Sequence, residues 1–351
     1  MEIRQKALAS LESGYAVAVT TLNKQLYYLA GSEAEGGGCM LISARTGRIY
    51  PLQGLSGGIM SIVPVPERPG AFLAIQKFYP IFRSEQAEIV YVQMIPQQDG
   101  TVSCDVKKIC ALPFVHRITL AGSEGSRRIL AATLCREKQF IEDWSTEGAV
   151  YEIMLSDALN GAAVPNMIFT GIHKNHGMFQ YQSGGSDVVV VSGEEGVFEL
   201  ALHSESVWSI QKILAEPTGD IWMYDIDGDG ADELITIQPF HGENLRIYRR
   251  QGDRWEVLRE FELRFGHSIW AGNILGKAYI FGASRAGAKE LSVYRVEYGI
   301  GENCVIERKA VYEGLGIAQL AVCSEGDRVR VVTSNHGLNE VGEFVFSNDV
   351  A

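Results

Sequence analysis

The stretch Asp225-Ile226-Asp227-Gly228-Asp229-Gly230-Ala231-Asp232-Glu233, running on into Leu234-Ile235-Thr236-Ile237-Gln238, decides the fold of this 351-residue chain. Asp225, Asp227 and Asp229 alternate along a tight loop, so three carboxylates converge on one hard cation such as calcium. Gly228 and Gly230 let the backbone fold sharply around it, Ala231 offers a carbonyl, and Glu233 closes the shell. The run ELITIQ that follows the loop reads as a strand, which fixes a strand register at this point of the chain.

The loop opens like an EF-hand, but its twelfth position is Thr236, where that motif needs a bidentate glutamate, and a strand follows instead of a helix. It resembles the calcium loop of FG-GAP and VCBS repeats. That resemblance implies a loop between two strands of a β-propeller blade, with Asp225, Asp227, Asp229 and Glu233 holding structural calcium.

Outward from the loop, helical periodicity is nearly absent and short apolar runs alternate with Gly, Ser, Asp and Pro turns. Four strands read in order around the motif: IWMYDI, ELITIQPF, NLRIYRR and RWEVLREFE. The same quartet recurs on both sides. Taking Gly14, Gly58, His116, His176, Asp220, His267 and Gly316 as entries gives steps of 44, 58, 60, 44, 47 and 49 residues. Four strands per ~40–50 residues is a propeller signature. The two long steps hold extra loop at Arg83–Ala87 and Ile141–Gly148.

After Gly316 only three strands remain (IAQLAVC, RVRVVTS, EFVFS), while residues 1–13 belong to no quartet. The expected fold is therefore all-β: one seven-bladed propeller of four-stranded antiparallel blades over residues 1–351. The N-terminal segment supplies the outer strand of the last blade. A short exposed helix over residues 1–13 is the rival reading.

Composition narrows the function. Hydrophobic residues make up 46% of the chain and charged residues 21%, enough for a core and against disorder. A net charge of −12 argues against nucleic acid as a partner. No apolar run reaches the ~20 residues of a membrane span, and no secretion signal is visible. Six cysteines without a CxxC pair suit reduced thiols, so the expected compartment is the cytoplasm. The chain has no P-loop or HExxH motif, and Gly36-Gly37-Gly38 has no helix after it to cradle phosphate.

Blade entries and second-to-third-strand loops share one face of a propeller. In this register His116, His176 and His267 lie at entries, His173 lies just before one, and His241 and His336 lie in second-to-third loops. Only His203 falls on the opposite face. A solvated loop histidine is the plain reading of any one of them; together they are candidate ligands for a transition metal such as manganese, zinc or iron. Lys77, Tyr79, Arg136 and Arg285 belong to the same loops. Lys77 or Tyr79 is a candidate base, and Arg136 or Arg285 a grip for an anion. Trp222 and Trp270 read as blade packing, and Trp144, in the long third-blade loop, is the one aromatic that is a candidate for stacking on a sugar.

In architecture the chain is similar to oligogalacturonate lyases, which are seven-bladed propellers with metal-binding histidines on one face, and to FG-GAP-type aldos-2-ulose dehydratases. No catalytic motif of either family aligns with it. The resemblance implies a metal-dependent lyase or dehydratase acting on a small anionic carbohydrate. The alternative is a non-catalytic, calcium-stabilised propeller that binds a protein or glycan.

Overall fold

The computed structural model describes residues 2–203, 207–299 and 303–347. Within them the chain forms seven four-stranded antiparallel sheets, each built from strands in sequence order except the last. The inner strands are Gly14–Leu22, Ser61–Pro64, Val115–Ala121, Met178–Ser183, Ile221–Tyr224, Gly266–Ile274 and Ile317–Glu325, opening blades 1 to 7. The propeller expected from the repeat is the fold observed.

The closing strand is also as expected. Glu2–Ser10 pairs antiparallel with Glu340–Ser347, from Glu2 opposite Ser347 to Ser10 opposite Glu340, with one irregularity at Ala7/Ala9. It thus completes blade 7 from outside, and the helical alternative for these residues falls. Leu11 then packs with Val17, Tyr28, Val332 and Val341 where blades 1 and 7 meet. Pairing the first strand with the last ties the ring shut and covers an edge that would otherwise offer unpaired N–H and C=O groups.

Burial explains the composition of each blade. Second strands such as Ala71–Gln76, Arg128–Thr133 and Glu233–Gln238 are buried at every residue, because neighbouring blades cover both their faces. Fourth strands such as Val305–Tyr312 are mostly exposed and carry the charge. Apolar clusters fill the spaces between blades, for example Ile237, Leu245, Ile269 and Ile280 between blades 5 and 6. Trp222 lies 4.2 Å from Phe179 and 6.3 Å from Trp270, a row of rings linking the inner strands of blades 4 to 6.

Among the described residues two short segments depart from the all-strand reading: a 3-10 turn at His336–Leu338, and residues Leu155–Asn160 of blade 3, which form an α-helical segment with Gly161 left-handed at its end. Leu155 and Ala158, one turn apart, are both buried, and that packing overrides the strand pattern that precedes them. Among the described residues no helix is long and apolar enough to cross a membrane.

Candidate active site: a histidine cavity on the propeller axis

Three entry histidines point inward because each sits at or beside the first residues of an inner strand. His116 and His267 are second in theirs, and His176 stands two residues ahead of Met178. Less than 3% of each is exposed. His241 joins them from the loop between Glu233–Gln238 and Asn244–Gln251. Its backbone is left-handed (φ 48°), and its ring lies between Phe240 at 4.0 Å and Phe265 at 4.6 Å. A non-glycine residue held in that conformation marks a position the surrounding structure enforces.

The rings of His176, His241 and His267 form a triangle with centroid separations of 5.0, 4.8 and 5.0 Å. One ring nitrogen from each lies within 4.8 Å of the others. The ring of His116 is 5.2 Å from that of His176. Two backbone carbonyls set tautomers. His267 Nδ1 is 2.6 Å from Ala318 O, and His116 Nδ1 is 3.0 Å from Asn175 O. A carbonyl only accepts, so both Nδ1 atoms donate and both Nε2 atoms present lone pairs, that of His267 toward Arg285 and that of His116 toward the Tyr15 hydroxyl. Neither nitrogen of His176 has a hydrogen-bond partner. Leaving a fully buried imidazole unsatisfied costs on the order of 1–3 kcal/mol per group, which points to a ligand absent from the protein alone.

Burial pushes the pKa of each of these histidines down, and Arg117 adds to the effect throughout. His241 falls to about 3, with Arg285 contributing after burial. Neutral imidazoles are the form that binds a metal.

The cluster borders a cavity of about 530 Å³. On its polar side stand Tyr15, Glu33 and Arg285; on its apolar side Met60, Phe78, Ile81 and Phe82. Arg285 Nη1 lies 3.4 Å from His267 Nε2, and its Nη2 lies 3.7 Å from Glu33. The Tyr15 hydroxyl is 3.4 Å from both His116 Nε2 and Arg117 Nη2. Burial raises the Tyr15 pKa, against the pull of Arg117, so the phenol stays protonated. Behind the histidines the axial channel holds Arg117, Asp220 and Gln319. Asp220 is pushed up to about 6 by burial, although Arg117 and the backbone N–H groups of Ile269 and Ile221 oppose the shift.

The other residues singled out by sequence lie elsewhere. His336 does not join the cluster: its Nε2 is 2.6 Å from Glu33, a carboxylate the sequence reading passed over. Lys77 is taken up by the buried Glu88 at 2.8 Å, which also holds Lys108 at 2.9 Å. Arg136 pairs with Glu147 at 3.1 Å on the surface. Neither Lys77, Tyr79 nor Arg136 lines the cavity; of the four catalytic candidates only Arg285 does. Trp144 is covered as well, with Phe82 at 5.9 Å and the Lys138 ammonium 3.2 Å from its ring centre. Tyr15 and Arg117 directly follow blade entries and Glu33 lies in a second-to-third loop, so the same register contained the signal for all three.

On the opposite face, Asp225, Asp227 and Asp229 bring carboxylate oxygens within 4.8 Å of one another. Asp225 accepts from the Gly228 and Gly230 amides at 2.7 and 3.0 Å, which requires the left-handed backbone of both glycines. Arg249 pairs with Asp229. Glu233 is fully buried: one oxygen accepts from the Ile226 amide at 3.0 Å and the other has no partner. A buried, half-satisfied carboxylate beside three aspartates fits a hard cation with oxygen ligands.

No family model matches the sequence, and no curated protein matches it either. Solved structures do match in fold. The β-propeller domain of Cps50 (Swd1) from Myceliophteria thermophila is 12% identical with a TM-score of 0.60, covering 98% of this chain and 100% of that one. A putative 6-phosphogluconolactonase from Bacteroides uniformis is 10% identical, TM-score 0.57, with 97% and 94% covered. The Dos1 propeller is 7% identical, TM-score 0.58, with 99% and 95% covered. At these identities the likeness shows a propeller and nothing about activity.

Proposed function

We propose that this protein is a metal-dependent lyase or dehydratase acting on a small sugar acid. The observation that carries the reading is the buried triangle of His176, His241 and His267, with both nitrogens of His176 lacking a partner. These three residues would hold a divalent transition metal such as manganese, zinc or iron. When bound, it would polarise a substrate carbonyl or carboxylate and acidify the adjacent C–H.

The remaining roles follow from position. Arg285 grips the substrate carboxylate at the edge of the triangle. Glu33, held by His336, accepts the proton from the carbon next to that carboxylate. The electron pair forms a double bond as the β C–O bond breaks, and Tyr15 gives its proton to the departing oxygen. His116 and Arg117 position the Tyr15 hydroxyl.

The loop at Asp225, Asp227, Asp229 and Glu233 is a structural calcium site of the FG-GAP and VCBS kind, away from this chemistry. The six cysteines are free, which supports a reducing compartment such as the cytoplasm.

The test is metal analysis of the purified protein beside His176→Ala, together with ultraviolet detection of unsaturated products from a panel of uronates. About one transition metal per chain, lost in the folded variant along with any turnover, supports the reading. Calcium alone, with no difference between the two proteins, would replace it with the scaffold reading.

A further inference from the structure

The cavity divides into two unlike halves. His176, His241 and His267 come from blades 4, 5 and 6, whereas Met60, Phe78, Ile81 and Phe82 all come from blade 2. In a seven-membered ring, blade 2 lies three places from blade 5, as far away as the ring allows. A ligand that fills the cavity therefore spans from the histidine triangle to an apolar wall. Its volume of about 530 Å³ lies in the range that encloses ligands well beyond a single sugar ring.

Phe78 and Met60 belong to the buried core, whereas Ile81 and Phe82 keep surface open at the cavity. Ile81 is 43% exposed although it lines the cavity. Phe82 has a left-handed backbone (φ 63°), an outlier for a bulky side chain, and its ring meets Trp144 edge-on at 5.9 Å. Trp144 is pinned in turn by Lys138. The extra loop of blade 3 thus braces the strained loop of blade 2, which presents Phe82 to the cavity. Phe265 supplies another ring on the far side. Aromatic rings at a cavity wall favour an aromatic partner through edge-to-face and offset contacts.

We propose that the substrate is a conjugate: a sugar acid at the histidine end, bearing an aryl group that seats against Ile81, Phe82, Phe78 and Met60. This rests on the reading above for its polar end and adds the class of substituent.

Calorimetry on the full-length, manganese-loaded protein tests it with two probes, methyl β-D-glucuronide and 4-nitrophenyl β-D-glucuronide. Burying the aryl ring should make the second bind about ten- to a hundredfold more tightly. That ratio should fall toward one in Ile81→Ser and in Phe82→Ala. Ile81 is exposed, so its replacement leaves the core intact even if Phe82→Ala loses stability. Equal binding of both probes, or a ratio unchanged in both variants, overturns the aryl site while leaving the metal reading in place. Binding of neither probe also overturns it; the metal content of His176→Ala then judges the enzyme reading separately.

Discussion

Replacing Glu233 with glutamine should change stability in opposite directions with and without calcium. Burial pushes this carboxyl up to about 7 despite the Ile226 hydrogen bond, and the charges of Asp227, Asp229 and Asp225 add to the shift. In the unfolded chain it titrates near ~4.3. With the folded pKa raised, the cation-free protein loses stability as pH rises from about 4.3 through about 7. The full shift corresponds to roughly 4 kcal/mol. Solvent at the exposed end of the loop reduces this to about 1.5–3 kcal/mol. Glutamine removes the charge and keeps an oxygen for the Ile226 amide. In chelator at about pH 8.5 the variant should therefore be more stable than the parent by that amount, and equal to it near pH 4. Calcium should stabilise the parent by RT ln(1 + [Ca]/Kd) and the variant far less, because a charged ligand is gone. Denaturant melts at the two pH values, with calcium or chelator, read all four cases. A variant less stable than the parent in chelator at high pH, or one with the parent's calcium response, would refute the reasoning.

Three further outcomes follow from the geometry. Deleting residues 1–12 uncovers Glu340–Ser347 and removes the packing of Ile3, Leu8 and Leu11; stability should fall by about 3–6 kcal/mol with aggregation, and an unchanged melt would contradict the closure. Asp220→Asn should stabilise the protein by about 1–3 kcal/mol near pH 8 and by nothing near pH 4, because a buried carboxyl raised to about 6 costs stability as pH climbs; a loss at pH 8 would mean that Arg117 needs the negative charge more than burial opposes it. Lys77→Ala should cost about 1 kcal/mol by weakening the Glu88 cluster, and should leave transition-metal content unaltered; loss of metal would return Lys77 to the site.

The propeller was legible in the sequence because strand alternation and turn residues are local properties that repeat in every blade. The calcium-type loop at Asp225–Glu233 gave one register, and steps of 44 to 60 residues carried it around the chain. Counting strands in the last repeat was enough to assign Glu2–Ser10 its place. The same register put His116, His176, His241 and His267 on one face, since entries and second-to-third loops share it by construction.

A register says which face a residue occupies, and nothing about how far its side chain reaches or what competes for it. Lys77 and His336 lie on the expected face, yet the buried carboxylates Glu88 and Glu33 take them up at 2.8 and 2.6 Å. Arg136 sits in a loop whose exposed surface supplied Glu147 first. Tyr15, Glu33 and Arg117 carry no motif, and their convergence depends on blades 1 and 3 meeting on the axis. The helix at Leu155–Asn160 likewise answers to packing. Periodicity along one chain fixed the ring, but a site assembled from six different blades is decided by distances across it, and those exist only once the ring is closed.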